Sequence, residues 1–119
     1  VRYVPEAFGN RNDANPVAVT YRVPTEGDRR EIEYAGPVTF TDGQAMLDAL
    51  DVIKRHHAAC RRCVVSVENY SDADGKPIDN GDRLARHGET DIVLEVGAQI
   101  LLRAEPTDEE RKKSEGSPG

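Results

Sequence analysis

The sequence predicts an α+β fold, with a small, mainly antiparallel sheet packed by two principal helices at about 42–60 and 90–104. Three observations carry that expectation. Val17, Val19, Tyr21 and Val23 alternate with Ala18, Thr20 and Arg22, the period of two of a half-buried strand. Met46, Ala49, Leu50, Ile53, His57 and Cys60 recur at helical spacing behind Thr41-Asp42-Gly43-Gln44, whose T-x-x-Q pattern fits a capping box. Val93, Val96, Gly97, Ile100, Leu101 and Ala104 repeat the helical spacing near the end of the chain.

The remaining elements follow in order. Val1 to Phe8 is a semi-apolar lead, and GNRNDANP after it reads as a surface loop. Beyond the Val17–Val23 strand, Thr25 with Asp28 resembles a helix start, while Glu31 to Ala35 alternates like a strand. A single helical turn followed by a second strand satisfies both signals. Gly36-Pro37 breaks the chain, and Val38-Thr39-Phe40 is a third extended piece. On the Thr41 helix, Asp48, Asp51, Lys54 and Arg55 leave the outer face solvated. Lys54, Arg55, Arg61 and Arg62 suit the negative end of its dipole.

Val64, Val65 and Val67 predict a strand from about Cys63 to Glu68, closed by a turn at Ser71–Gly75. Lys76-Pro77-Ile78 resumes extended structure. A short helix then carries Leu84 from Asp79-Asn80-Gly81 to a stop at Gly88. The last helix starts near Thr90 and ends before Pro106-Thr107. One domain is therefore expected over 1–105. The polar stretch 106–119 is expected to be a flexible tail, with one capped turn at Thr107 and Glu110.

Composition narrows the function classes. The chain has 119 residues, no Trp, 32% charged residues and a net charge of −6. An acidic balance disfavours a dedicated nucleic-acid binder, since phosphate neutralisation needs a basic face. The cluster Lys54, Arg55, Arg61 and Arg62 is the local exception, and no aromatic residues interleave with it for base stacking. No apolar run approaches a membrane span, and VRYVPEAF lacks the features of a signal peptide. The expectation is a soluble, intracellularly made protein with reduced thiols and no cofactor.

His56, Cys60 and Cys63 are the sharpest chemical candidate. On a continuous helix they fall at i, i+4 and i+7, with the ligand types zinc prefers. A fourth ligand could come only from His57, His87 or an acid, and three ligands from one straight helix make a poor tetrahedron. Two buried thiols at a helix end account for the same residues. A thioredoxin-like reading of Cys60-x-x-Cys63 fails because the motif stands at the wrong end of its helix. Asp72-x-Asp74-Gly75 suggests a calcium loop, but Tyr70 and Gly81 would occupy its first and last ligand positions. No phosphate-binding, dinucleotide-binding, serine-hydrolase or zinc-protease motif is present, so catalysis is not expected.

The order of pieces has a counterpart. VPEAF, a strand and PTEGDRREI are followed by VVSVENYSDADGKPIDNGDRL, an acid-started helix and PTDEERKKS. This pattern resembles small proteins of tailed-bacteriophage morphogenesis clusters, especially the tail-assembly-chaperone type. The resemblance implies a non-enzymatic protein that binds phage structural proteins. Its partners would be the tape measure, the tail tube or neighbouring virion subunits, in the host cytoplasm during assembly or in the virion. It transfers no site residues. The residues themselves suggest where a partner or a second copy could bind. Ile92, Leu94 and Leu102 lie off the buried stripe of the last helix, so that helix is apolar over more than one face. Charging Leu94 or Leu102 is expected to weaken assembly while leaving the monomer folded. The second class of function is a zinc-stabilised binding module built on His56, Cys60 and Cys63.

Overall fold

The computed structural model describes residues 1–104, and it is an α+β fold with a small antiparallel sheet packed against helices. The strands are β1 (Arg2–Tyr3), β2 (Ala18–Tyr21), β3 (Thr39–Thr41), β4 (Gln44–Met46) and β5 (Val64–Glu68). The α-helices are α1 (Glu26–Ala35), α2 (Ala49–Cys63), α3 (Gly81–His87) and α4 (Thr90–Ala104), with a 3-10 segment at Ala7–Asn12. The expected tail at 106–119 and its capped turn at Thr107 and Glu110 lie outside the described residues.

The main sheet has the order β1-β2-β5, with both pairings antiparallel. Its middle strand is the one with the clearest alternation. Val19 and Tyr21 are buried as expected, but Ala18 is buried too, and Val23 lies past the strand end and is half exposed. In β5 the pairing skips Val65: Thr20 faces Ser66, while Tyr21 faces Val64. This bulge turns Val64 and Val67 inward although they are three residues apart, and leaves Val65 60% exposed. The semi-apolar lead supplies β1, a strand that the sequence pattern does not announce.

Two segments depart from expectation. Glu31–Ala35 is not a strand but the second half of α1. The Thr25–Asp28 capping box is complete, with Thr25 Oγ1 accepting from the Asp28 amide and the Asp28 carboxylate accepting from the Thr25 amide. A helix nucleated there runs on and satisfies the same apolar pattern, with Ile32 turned inward and Glu31, Glu33 and Tyr34 outward.

The helix expected over 42–60 begins only at Ala49. Asp42 and Gly43 both have positive φ, 52° and 77°, the backbone of a type I′ hairpin turn. The turn joins β3 to β4, with Thr41 opposite Gln44 and Thr39 opposite Met46. Turn chemistry thus outweighs the T-x-x-Q match. The buried face of α2 shifts accordingly. Ala58, Ala59, Cys60 and Cys63 are buried, whereas Met46, Leu50 and Ile53 are exposed.

Helix α2 is the hub, packing against α1, α3 and α4. Its small inner residues let α4 approach closely. A Cβ on Gly97 would stand 2.8 Å from His56 Cβ and 2.9 Å from the His56 backbone. Val93, Val96 and Ile100 of α4, Leu84 of α3 and Ile78 of the preceding loop complete the core, each at most 1% exposed. Asn80 caps α3 by accepting from the Arg83 amide at 2.9 Å.

Candidate protein-interaction surface

The hairpin β3–β4 stands apart from the main sheet, and all six of its strand residues are exposed. Residues opposite each other in an antiparallel pair project to the same face. Phe40 and Ala45 therefore share one face, and the same register continued by two residues adds Val38 and Leu47 to it. Thr39, Thr41, Gln44 and Met46 form the other face. One side of the hairpin is thus apolar throughout, and its largest side chain, Phe40, is 76% exposed. A two-stranded hairpin without a third strand or a covering helix is marginal in water.

Exposed apolar side chains are also frequent in the neighbouring sequence. Of the twelve exposed large apolar side chains among the described residues, seven lie between Tyr34 and Ile53. They lie on the end of α1, on both faces of the hairpin and on the first turns of α2. Leu47 also lines an open groove of about 640 Å³ between α1, α2 and α4. Ile32, Val52 and Leu101 contribute apolar lining to the groove, and its charged lining is mixed, with Arg29, Arg30 and Arg55 beside Glu26 and Glu33.

The residues singled out on α4 fare differently from one another. Ile92 is 4% exposed and belongs to the core cluster, so it is not available to a partner. Leu94 is partly buried, and only Leu102, 63% exposed, is open to solvent. The helix is apolar on more than one face because α2 and the 3-10 segment both pack on it. The signal that pointed to the hairpin was present in the sequence. It was Asp42-Gly43, the preferred two-residue hairpin turn, directly after the alternating Thr39-Phe40-Thr41.

The zinc candidates do not form a site. No group of three or more His, Cys, Asp or Glu residues that could hold a metal occurs among the described residues. Cys60 and Cys63 are fully buried core residues. The Cys60 thiol donates to the Val93 carbonyl at 3.4 Å, and burial pushes its pKa up to about 12. Burial likewise raises the Cys63 thiol, with the nearby Asp28 charge adding to the effect. Both thiols are therefore protonated at neutral pH, as buried core groups. His56 Nδ1 lies 2.6 Å from the Val52 carbonyl within its own helix, at the rim of the groove.

The carboxylates most removed from their ordinary chemistry are structural acceptors. Asp28, 2% exposed, receives both terminal nitrogens of Arg22, Arg62 Nε at 3.1 Å, and the amide and hydroxyl of Thr25 at 2.9 Å each. The Arg22 guanidinium is the main reason its carboxyl sits well below the usual range, against the opposing effect of burial. Glu95 of α4 receives the Tyr3 hydroxyl at 2.6 Å and the amides of Glu6 and Ala7 at 2.7 and 3.0 Å. Burial opposes its charge, but these donors outweigh it and lower its pKa. Asp72 receives the amides of Asp74 and Lys76 and the Arg83 guanidinium, which closes the acidic turn and ties it to α3.

The basic cluster is partly consumed in the same way. Arg62 serves Asp28, and Arg55 Nε donates to the Gly36 carbonyl at 2.6 Å. No helix among the described residues is long and apolar enough to cross a membrane. Comparison with models of protein families, with curated proteins and with solved structures finds no match.

Proposed function

We propose that this protein acts by binding other proteins, as a non-enzymatic component of tailed-phage particle assembly. In that role it is a tail-assembly chaperone or a minor virion component, and the β3–β4 hairpin is its principal contact. One observation carries the binding role. A hairpin with an apolar face of Val38, Phe40, Ala45 and Leu47 is left in solvent by its own domain. Covering such a face is favourable by about 25 cal/mol per Å² of apolar surface, which a partner can supply and the domain does not. The phage setting comes from the resemblance carried by VENYSDADGKPI and PTDEERKKS. The partners it favours are the tape measure, the tail tube or neighbouring virion subunits.

The test is coexpression with each of these proteins from the same gene cluster, followed by affinity copurification. The wild-type chain is expected to retain one of them. Phe40→Asp and Leu47→Asp are expected to lose it while keeping the native circular dichroism spectrum. Retention of no phage protein by the folded wild-type chain would refute the phage role. Retention undiminished in both variants would refute the hairpin as the contact.

A further inference from the structure

We infer that the groove between α1, α2 and α4 is a seat for an acidic peptide segment, and that its occupant is the chain's own stretch 105–110, EPTDEE, folded back from the end of α4. The inference uses neither the hairpin nor a phage partner. Three features of the groove and the adjoining sequence argue for this occupant.

The first is an unmet donor. Arg29 lines the groove, and its Nε is buried with no hydrogen-bond acceptor, the one side-chain atom in that state among the described residues. A buried N–H without an acceptor carries a desolvation cost, which a carboxylate or carbonyl oxygen entering the groove removes.

The second is charge. Arg29, Arg30 and Arg55 bring three guanidinium groups to the groove. Its two acids, Glu26 and Glu33, are exposed, Glu26 to 81%, whereas Arg29 and Arg55 are half-buried. Solvent screens the exposed charges more strongly, so the inner groove is positive. Stretch 105–110 carries four acids and no base. The bases that follow it, Arg111, Lys112 and Lys113, have the sign that suits Glu26 and Glu33.

The third is position. Ala104, the last residue of α4, itself lines the groove, so the acidic stretch starts at the site. Pro106 disfavours helical backbone at Glu105, so continuing the helix past the groove is unfavourable. Six residues reach about 20 Å at full extension, more than the ~15 Å length of the ten-residue α1. A segment tethered this closely acts at an effective concentration in the millimolar range, so a weak contact is enough to fill the groove. An acidic peptide of a partner has no such advantage and must displace it.

A nitroxide spin label on Ser114→Cys in the full chain, read by NMR line broadening, tests the contact. Cys60 and Cys63 are fully buried, so the label attaches at the introduced thiol. The expected result is broadening of the Arg29, Arg30 and Val52 amides. That broadening should fall at least about twofold in the triple variant Asp108→Asn, Glu109→Gln, Glu110→Gln, and likewise in Arg30→Glu, an exposed position where the fold is not at risk. The Arg29 Nε–H resonance should also shift in the triple variant. Broadening that neutralising the three acids leaves unchanged overturns the inference. So does equal broadening when the spin label and the observed nuclei are on different copies, which would put a second copy's segment in the groove.

Discussion

Replacing Asp28 by Asn keeps the shape of the side chain and removes its charge, and the geometry dictates a large effect. One carboxylate oxygen accepts from Arg22 and from the amide and hydroxyl of Thr25. The other accepts from Arg22 Nη2 at 2.9 Å and Arg62 Nε at 3.1 Å. Whichever way an Asn amide is turned, its NH₂ faces donors, so at least two hydrogen bonds are lost. Bonds to charged groups contribute about 1.5–3 kcal/mol each. The side chains of Arg22 and Arg62 are 44% and 40% exposed, and solvent screening moves each bond toward the lower figure.

The expected loss is about 3 kcal/mol, or roughly 10 °C in Tm for a domain of this size. Urea titration with circular dichroism detection measures it. The pH dependence supplies an internal check. The folded-state pKa of Asp28 is depressed, so its contribution is present in full above the unfolded value of about 3.9 and is lost as pH falls through the folded value. The gap between wild type and Asp28→Asn should therefore be widest at neutral pH and should close only in strong acid. A variant within about 0.5 kcal/mol of wild type at pH 7 would refute the reasoning, because that is the range of ordinary surface changes.

Two further outcomes can be checked in the same way. Gly97→Ala should destabilise the domain by about 1–3 kcal/mol by forcing α4 away from the His56 backbone, seen as a lower urea midpoint; an unchanged midpoint would mean the helices are not in close contact. Glu95→Gln should speed amide exchange at Glu6 and Ala7 relative to the core. Because the Glu95 pKa is lowered in the folded state, the same loosening should appear in wild type as pH falls through that lowered value, and not at neutral pH.

The sequence disclosed most clearly those elements whose local signals agreed. The strand around Val19, the helix from Thr90 to Ala104 and the short helix ending before Gly88 combine apolar period with caps or breakers, and each formed where those signals point. Misreadings arose where two local signals competed. Thr41-Asp42-Gly43-Gln44 fits both a capping box and a hairpin turn, and positive φ at Asp42 and Gly43 decided for the turn. Glu31–Ala35 fits both periods, and the upstream cap decided for the helix.

Burial was harder to read than structure. The inner face of α2 is made of alanines and cysteines, while its larger Leu50 and Ile53 point outward. Helical spacing therefore placed Cys60 on the buried face correctly but put Met46, Leu50 and Ile53 there too, although all three are exposed. The carboxylate networks of Asp28 and Glu95 join residues up to 92 positions apart, a distance over which a single sequence carries no pairing information.

Helix α2 passes into β5 with no intervening loop, Cys63 ending one and Val64 beginning the other. The backbone turns from helical to extended at Val64 alone (φ −71°, ψ 122°), so that one residue sets the angle between the two. The strand that follows is paired to the centre of the main sheet. The hairpin is joined to the start of α2 through Leu47 and Asp48 and to the end of α1 through residues 36–38, and Gly36 is fixed on α2 by the Arg55 Nε hydrogen bond to its carbonyl. The hairpin is therefore anchored on two packed helices, and one of them continues directly into the main sheet.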